Sequence, residues 1–252
     1  MKSGIWPPLL LGAGIIAAWE IYVRAADIDP LLLPPPSAVA RYLVDNTRMM
    51  ASNSAATLEE LLVGFVCGAT IGLSLGILMQ VWDWFREAAY PWLVATQMVP
   101  IPAVAPILVL WFGFTIVPKA ATVALMCFFP VAVNTVDGLS SVNPELIRLL
   151  RTFGARPWQI MWKAALPSAL PRIFSGLRVA MALSVVGAVV GEWVGSTHGL
   201  GYLMLHFENR GETAGLFATV AVLTVMGIIL FFLVGWVENW AISWRRYAKE
   251  TL

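Results

Sequence analysis

Charge is scarce in this chain. Lys, Arg, Asp and Glu supply only 12% of its 252 residues, about half the share of an ordinary soluble domain. Too little polar surface exists to solvate a ball of this size, which excludes a conventional water-soluble globule. The net charge is +1, and no basic stripe interleaved with aromatics lies outside the apolar runs. Nucleic acid is therefore not an expected partner. Only two cysteines occur, Cys67 and Cys127, both inside apolar runs. They give neither a disulfide framework nor a CxxC metal spacing, and they read as small buried hydrophobes. The two histidines, His198 and His206, are eight residues apart with no third ligand nearby, so no metal site is expected. None of the four lysines, Lys2, Lys119, Lys163 and Lys249, follows a glycine. The Gly-Lys-Ser/Thr end of a nucleotide-phosphate loop is absent, so ATP chemistry is not expected on this chain.

What is abundant is apolar sequence, 59% of residues, with a mean hydropathy of +0.78. A helix needs roughly 20 mostly apolar residues to cross a bilayer. Six stretches qualify: 5–24, 55–81, 88–112, 118–137, 174–195 and 214–241. Lipid leaves backbone polar groups no partner outside the segment, so the expected fold is an all-α membrane protein forming one transmembrane domain over residues 1–252. Lys2 followed by an apolar run could open a secretory signal, but no small-x-small cleavage site follows Trp19, so the run reads as a retained first helix.

The polar segments between the runs are distinctive. Residues 27–53 open with Leu33-Pro34-Pro35-Pro36, and Ser37 is a candidate N-cap for a short amphipathic helix carrying Arg41 and Arg48. Residues 143–173 form a long polar loop with Arg148, Arg151, Arg156, Lys163 and Arg172. Residues 196–213 form a third polar stretch broken by Gly199, Gly201 and Gly211. With a cytoplasmic N-terminus, eleven of the sixteen Lys and Arg residues fall inside, including the whole 143–173 loop, Lys2, Arg86, Arg178, Arg245, Arg246 and Lys249. That bias places both termini in the cytoplasm. Trp236, Trp240 and Trp244 before Arg245-Arg246 fit an aromatic girdle meeting a cytoplasmic anchor.

Several features inside the spans invite both a packing and a functional reading. Gly64, Gly68, Gly72 and Gly76 share one helix face and predict close approach of another helix, without saying whose. Pro91, Pro100, Pro102 and Pro106 cannot all lie in one straight third helix. The element is either a kinked strut or a bent wall of a pathway. Glu192 shares a face with the small residues Ala180, Ser184 and Ala188, which points it into the bundle in a structural, gating or substrate role. Glu20 and Glu59 read as groups near the membrane interfaces.

The 143–173 loop carries the most specific pattern. Asn143 can cap a helix with Pro144 in its first position, Gly154 ends it, and Pro157 starts a second short helix ending before Pro167. Exposed Leu and Trp beside cations make a docking surface. This loop resembles the signature loop of ABC importer permeases: Glu-Ala-Ala, three residues, Gly, nine residues, Ile-x-Leu-Pro. Gly154 and Leu166-Pro167 match in spacing, whereas the Glu-Ala-Ala positions hold Arg148, Leu149 and Leu150, and the Ile position holds Ala164. The stretches Leu33 to Ser37, Ile107 to Gly113, Leu166 to Arg178 and Gly191 to Leu203 are similar to the nitrate/sulfonate/taurine branch, which includes thiamine-precursor pyrimidine and riboflavin permeases.

The resemblance implies a type I ABC importer permease fold in a bacterial inner membrane, working as a homodimer. It implies two ATP-binding-cassette ATPases carrying ATP and magnesium, and an extracytoplasmic substrate-binding protein. It also implies a coupling loop that includes Glu145, Arg148, Leu149, Leu150, Arg151, Gly154, Ala155, Arg156, Leu166 and Pro167. Pro100, Pro102, Pro106, Glu192, Gly199 and Gly201 are then pathway or gate candidates, and no catalytic residue is needed. An ion-coupled secondary transporter is the alternative; it should show internal repeats and several intramembrane acids, and only Glu192 stands out. A membrane enzyme should show convergent His, Asp or Glu, which are too sparse here.

Overall fold

A computed structural model describes residues 6–242, and every regular element among them is helical. The elements are α1 (Trp6–Ala25), α2 (Pro36–Asp45), α3 (Thr47–Val81), α4 (Asp83–Ala95), α5 (Ile101–Phe112), α6 (Ile116–Ser140), α7 (Pro144–Thr152), α8 (Pro157–Ile160), α9 (Leu166–Gly195), α10 (Leu200–Arg210) and α11 (Thr213–Ala241). Five helices are long and apolar enough to cross a membrane: α1, α3, α6, the 39-residue run through α8 and α9, and α11. The sixth candidate is the pair α4–α5, bent by 96°. Lys2, Trp244, Arg245, Arg246 and Lys249, used above to orient the chain, lie outside the described residues.

The chain forms two compact units. The first takes residues up to Thr57 together with Thr197–Val225. Here the sequence expectation for Ser37 is corrected. The N-cap of α2 is Pro35, with Pro36 in the first position, and no side chain of the segment caps it. The acceptor comes from α1 instead: Glu20 takes the Ser37 backbone N–H at 2.9 Å and its hydroxyl at 2.8 Å. A carboxylate suits the positive end of a helix, so the proline-fixed start of α2 is tied to α1 by charge as well as by hydrogen bonds. Arg24, one turn on from Glu20, donates to it at 2.6 Å.

Most of the polar stretch 196–213 is α10, bounded by Gly199 and Gly211 as expected, whereas Gly201, expected to break the chain, lies inside the helix. Gly199, at φ 111°, is its N-cap. Two donors at this helix start are satisfied from α3: Gly199 N–H donates to Asn53 Oδ1 at 2.7 Å, and Leu200 N–H to Thr57 Oγ1 at 2.8 Å. A distant helix supplies the cap, so a reading of local sequence could not place it.

The second unit, Leu58–Ser196 with the chain from Met226, holds the main apolar core of Leu61, Val123, Cys127, Val131, Ala180, Met181 and Ala188. Its organising contact is α3 against α6. A Cβ on Gly68 would sit 2.7 Å from the Ala124 carbonyl oxygen, and one on Gly76 would sit 2.6 Å from Thr135 Cβ. Gly64 meets Ala120 and Val123, and Gly72 meets Phe128 and Val131, in the same way. The four-residue glycine repeat thus lets two backbones of the same subunit touch along four turns.

Candidate functional site

Three groups of residues stand out: the polar knob between α6 and α9, the break between α4 and α5, and the buried charges of the second unit.

The knob is built by local rules. Asn143 Oδ1 accepts the Glu145 N–H at 2.8 Å, and Pro144 fills the first helical position, where a missing N–H costs nothing. Glu145 lies in the first turn of α7 and Arg151 in the last, each matched to the helix dipole. The end is a Schellman turn. Gly154 sits at φ 79°, Gly154 N–H donates to Arg151 O at 2.9 Å, and Ala155 N–H donates to Leu150 O at 3.0 Å. Nothing lies within 4 Å of a Cβ placed on Gly154. Glycine is needed there for its backbone conformation and not for space.

After this turn Arg156 is extended and Gln159 accepts its N–H at 2.8 Å, starting α8. Here the expected end before Pro167 is corrected. The chain passes through one π-turn, Met161–Ala165, and continues as α9 without interruption to Gly195. Leu166 N–H donates to Met161 O, five residues back. The wider turn comes directly before Pro167, whose ring would crowd the carbonyl four residues earlier in a regular helix. Leu166 and Pro167 therefore lie inside the 39-residue helical run Pro157–Gly195, and the segment between α6 and that run is shortened to α7 and its flanking turns.

The knob's inner side is apolar. Ile147 and Met161 pack with Leu139, Val142, Ala165 and Ala169 at the ends of α6 and α9. Its outer side exposes Leu149, Phe153, Trp158 and Trp162 beside the exposed cations Arg148, Arg151, Arg156 and Lys163. A groove of about 440 Å³ runs between the two arms, lined by Leu150, Phe153, Gly154, Ala155, Gln159 and Lys163.

The third span is broken where the prolines cluster. Helix α4 ends in a 3-10 turn, Thr96–Met98, and Pro100 is extended at ψ 114°. Pro102 lies in the first turn of α5, where it is tolerated, and Pro106 lies inside it. Pro91 is accommodated inside α4. Met98 beside the break, and Leu110 and Trp111 near the far end of α5, are at least 70% exposed.

The stripe Ala180, Ser184, Ala188 and Glu192 is buried along its length. Beside it lies a pair that sequence reasoning missed. Lys119 Nζ of α6 and Glu60 Oε1 of α3 are 2.5 Å apart, with both side chains 4% exposed. Gly191 lets α9 approach this site, since its Cβ would lie 3.1 Å from Lys119 Cα. The available signal was a lysine inside the long apolar run 118–137. In the other unit, Gly199 caps α10 and Gly201 is buried in its first turn.

Residues 68–243 match the family model described as the binding-protein-dependent transport system inner membrane component. The chain is 37% identical to the formylaminopyrimidine transport permease protein of Halalkalibacterium halodurans, over 95% of this chain and 96% of that one. It is 33% identical to the riboflavin transport system permease protein of Chloroflexus aurantiacus, over 95% and 91% of the two chains. Its backbone is similar to an inward-facing MetNI methionine ABC transporter structure, with a TM-score of 0.66 and 18% identity, covering 78% of this chain and 98% of the other.

Proposed function

The chain belongs to the family of binding-protein-dependent transport inner membrane components, and so is a permease subunit of an ABC importer. From that premise we propose that two copies form the channel and two ATPase subunits dock on the α7–α8 knobs. A substrate-binding protein delivers cargo from the opposite side, and both termini face the cytoplasm of a bacterial cell. ATP and magnesium reside on the ATPases; this chain contributes the pathway and the mechanical coupling.

The knob is the observation that carries the proposal. It is a rigid, capped structure with apolar anchors on its inner side and cations among exposed aromatics on its outer side. Such a surface suits burial in a groove on a protein partner. Its groove beside Gly154 can take a side chain of that partner. Closure of two ATPases on their nucleotides would draw the two knobs together. Each knob is helically continuous with α9, so the movement would reach the membrane bundle without a flexible joint.

By likeness to the relatives above and to the sulfonate and taurine branch that the sequence resembles, the cargo is a small polar nutrient of the pyrimidine-precursor, riboflavin, sulfonate or taurine kind. The broken α4–α5 element, Glu192 and the α10 segment with Gly199 and Gly201 are proposed to serve the pathway and its gate.

The test is co-purification with a candidate ATP-binding-cassette ATPase of the same organism, using wild type, Arg151→Glu and Gly154→Val. Wild-type binding that is lost in both variants, with the chain still monodisperse in detergent, supports the docking site. Undiminished binding in both variants overturns it. A wild-type chain that binds no ATPase and moves solute on an ion gradient overturns the ABC reading in favour of a secondary transporter.

A further inference from the structure

A second polar site lies where α6 and α9 emerge beside the knob. Asn134, Asp137, Ser140 and Ser141, from the end of α6, face Arg172 and Ser175 of α9 across an open cleft of about 470 Å³. That volume falls within the usual range for small-molecule sites. Asp137, Ser140, Arg172 and Ser175 are exposed, yet they belong to two helices otherwise apolar enough to span a membrane. Lipid cannot solvate a guanidinium and a carboxylate on such a surface, so the cleft faces water.

Its walls are fixed. A Cβ on Gly176 would lie 2.6 Å from Asn134 Cβ, and one on Gly138 would lie 3.1 Å from the Ala169 carbonyl oxygen and 3.3 Å from Arg172 Cβ. Each helix thus offers a glycine to the other directly beneath the cleft. Arg172 Nη1 donates to the Asp137 backbone carbonyl at 2.8 Å, which aims the guanidinium along the cleft. That bond uses one of its five N–H donors. The two opposite charges share the cleft without closing on each other in an ion pair.

Resting on the permease reading, we propose that this cleft is the last station of the transport pathway, where small amphoteric solutes bind before release to the cytoplasm. Arg172 holds the anionic or carbonyl end of the solute, and Asp137 holds its amino end. Asn134, Ser140 and Ser175 supply neutral hydrogen bonds. A site with both charges in place and fixed by helix packing selects solutes carrying a donor and an acceptor together over singly charged ones.

The test uses the full chain with its ATPase in inside-out membrane vesicles. Cys67, expected from the sequence to be buried but exposed in the structure, is replaced by Cys67→Ser, whereas Cys127 is buried as expected. Ser175→Cys, and separately Ser140→Cys, are labelled with the anionic sulfonatoethyl and the cationic trimethylammonioethyl methanethiosulfonates. Both reagents should react in inside-out vesicles and not in right-side-out ones. Arg172→Gln should slow the anionic reagent, and Asp137→Asn the cationic one, each about fivefold, as expected for one charge about 4 Å away in a water-filled cleft. Taurine should protect both thiols better than ethanesulfonate or ethylammonium at equal concentration.

Absence of labelling at both positions, unchanged reagent selectivity in the two charge variants, or equal or absent protection by the three solutes would overturn the site. ATPase co-purification of the same preparations judges the permease reading separately. A chain that binds its ATPase but stays unlabelled loses only the cleft, and a labelled and protected chain that binds none loses the permease assignment.

Discussion

Lys119 and Glu60 meet inside the helix bundle, Nζ to Oε1 at 2.5 Å, with only 4% of either side chain exposed. Lys119 is the fourth residue of α6, close to the positive end of that helix, where a cation is unfavourable. Glu60 compensates both the ammonium and the helix terminus, and so fastens α3 to the start of α6.

Breaking this pair should be costly and replacing it mild. Glu60→Leu or Lys119→Met alone leaves a buried charge and should cost about 3–5 kcal/mol. The double variant should recover most of that loss. Thermal unfolding in detergent checks it, and a double variant less stable than both singles would contradict the account.

The glycine face of α3 should be intolerant in a position-specific way. Gly68→Ala drives a methyl against the Ala124 carbonyl and should destabilise by about 1–3 kcal/mol. Gly12→Ala in α1 meets nothing within 4 Å and should stabilise the helix by about 0.5–1 kcal/mol. Equal effects at the two sites, read from melting temperature, would refute the close-packing explanation.

At the knob, conformation is the constraint. Gly154→Ala has room for its methyl but must hold φ 79°, at a cost of about 1–2 kcal/mol. Gly154→Asn, which tolerates that region better, should retain more ATPase binding than Gly154→Val. The ranking Gly, Asn, Ala, Val in a pull-down assay is the expected outcome.

Tyr42, on α2, donates to Glu212 Oε2 at 3.2 Å. Burial, and then the Glu212 carboxylate, push its phenol above the ordinary value. The native state therefore holds the phenolic proton more tightly than the unfolded chain does. The associated stability is present below about pH 10, the ordinary tyrosine value, and is lost as pH rises through the raised one. Glu212→Gln should lower the last step of a tyrosinate absorbance titration, and Tyr42→Phe should remove it.

Much of this was legible in the chain itself. Apolar runs of span length locate α1, α3, α6, α9 and α11, because lipid demands long helices with internally bonded backbones. Asn143, Pro144 and Gly154 delimit α7 because caps and positive φ are local matters, decided within a few residues. The proline cluster announces the break at Pro100 for the same reason.

The sequence alone therefore determined the membrane class, the knob and its likeness to the permease loop. Only the tertiary structure decided that Glu20 caps α2, that Asn53 and Thr57 cap α10, and that the glycines of α3 face α6 of the same chain. It alone joined Lys119 to Glu60, ran the knob into α9 through a π-turn, and set Asp137 across from Arg172. All of these except the π-turn join groups far apart in sequence. Their partners are chosen by which helix faces pack together, and no spacing within one segment encodes that choice.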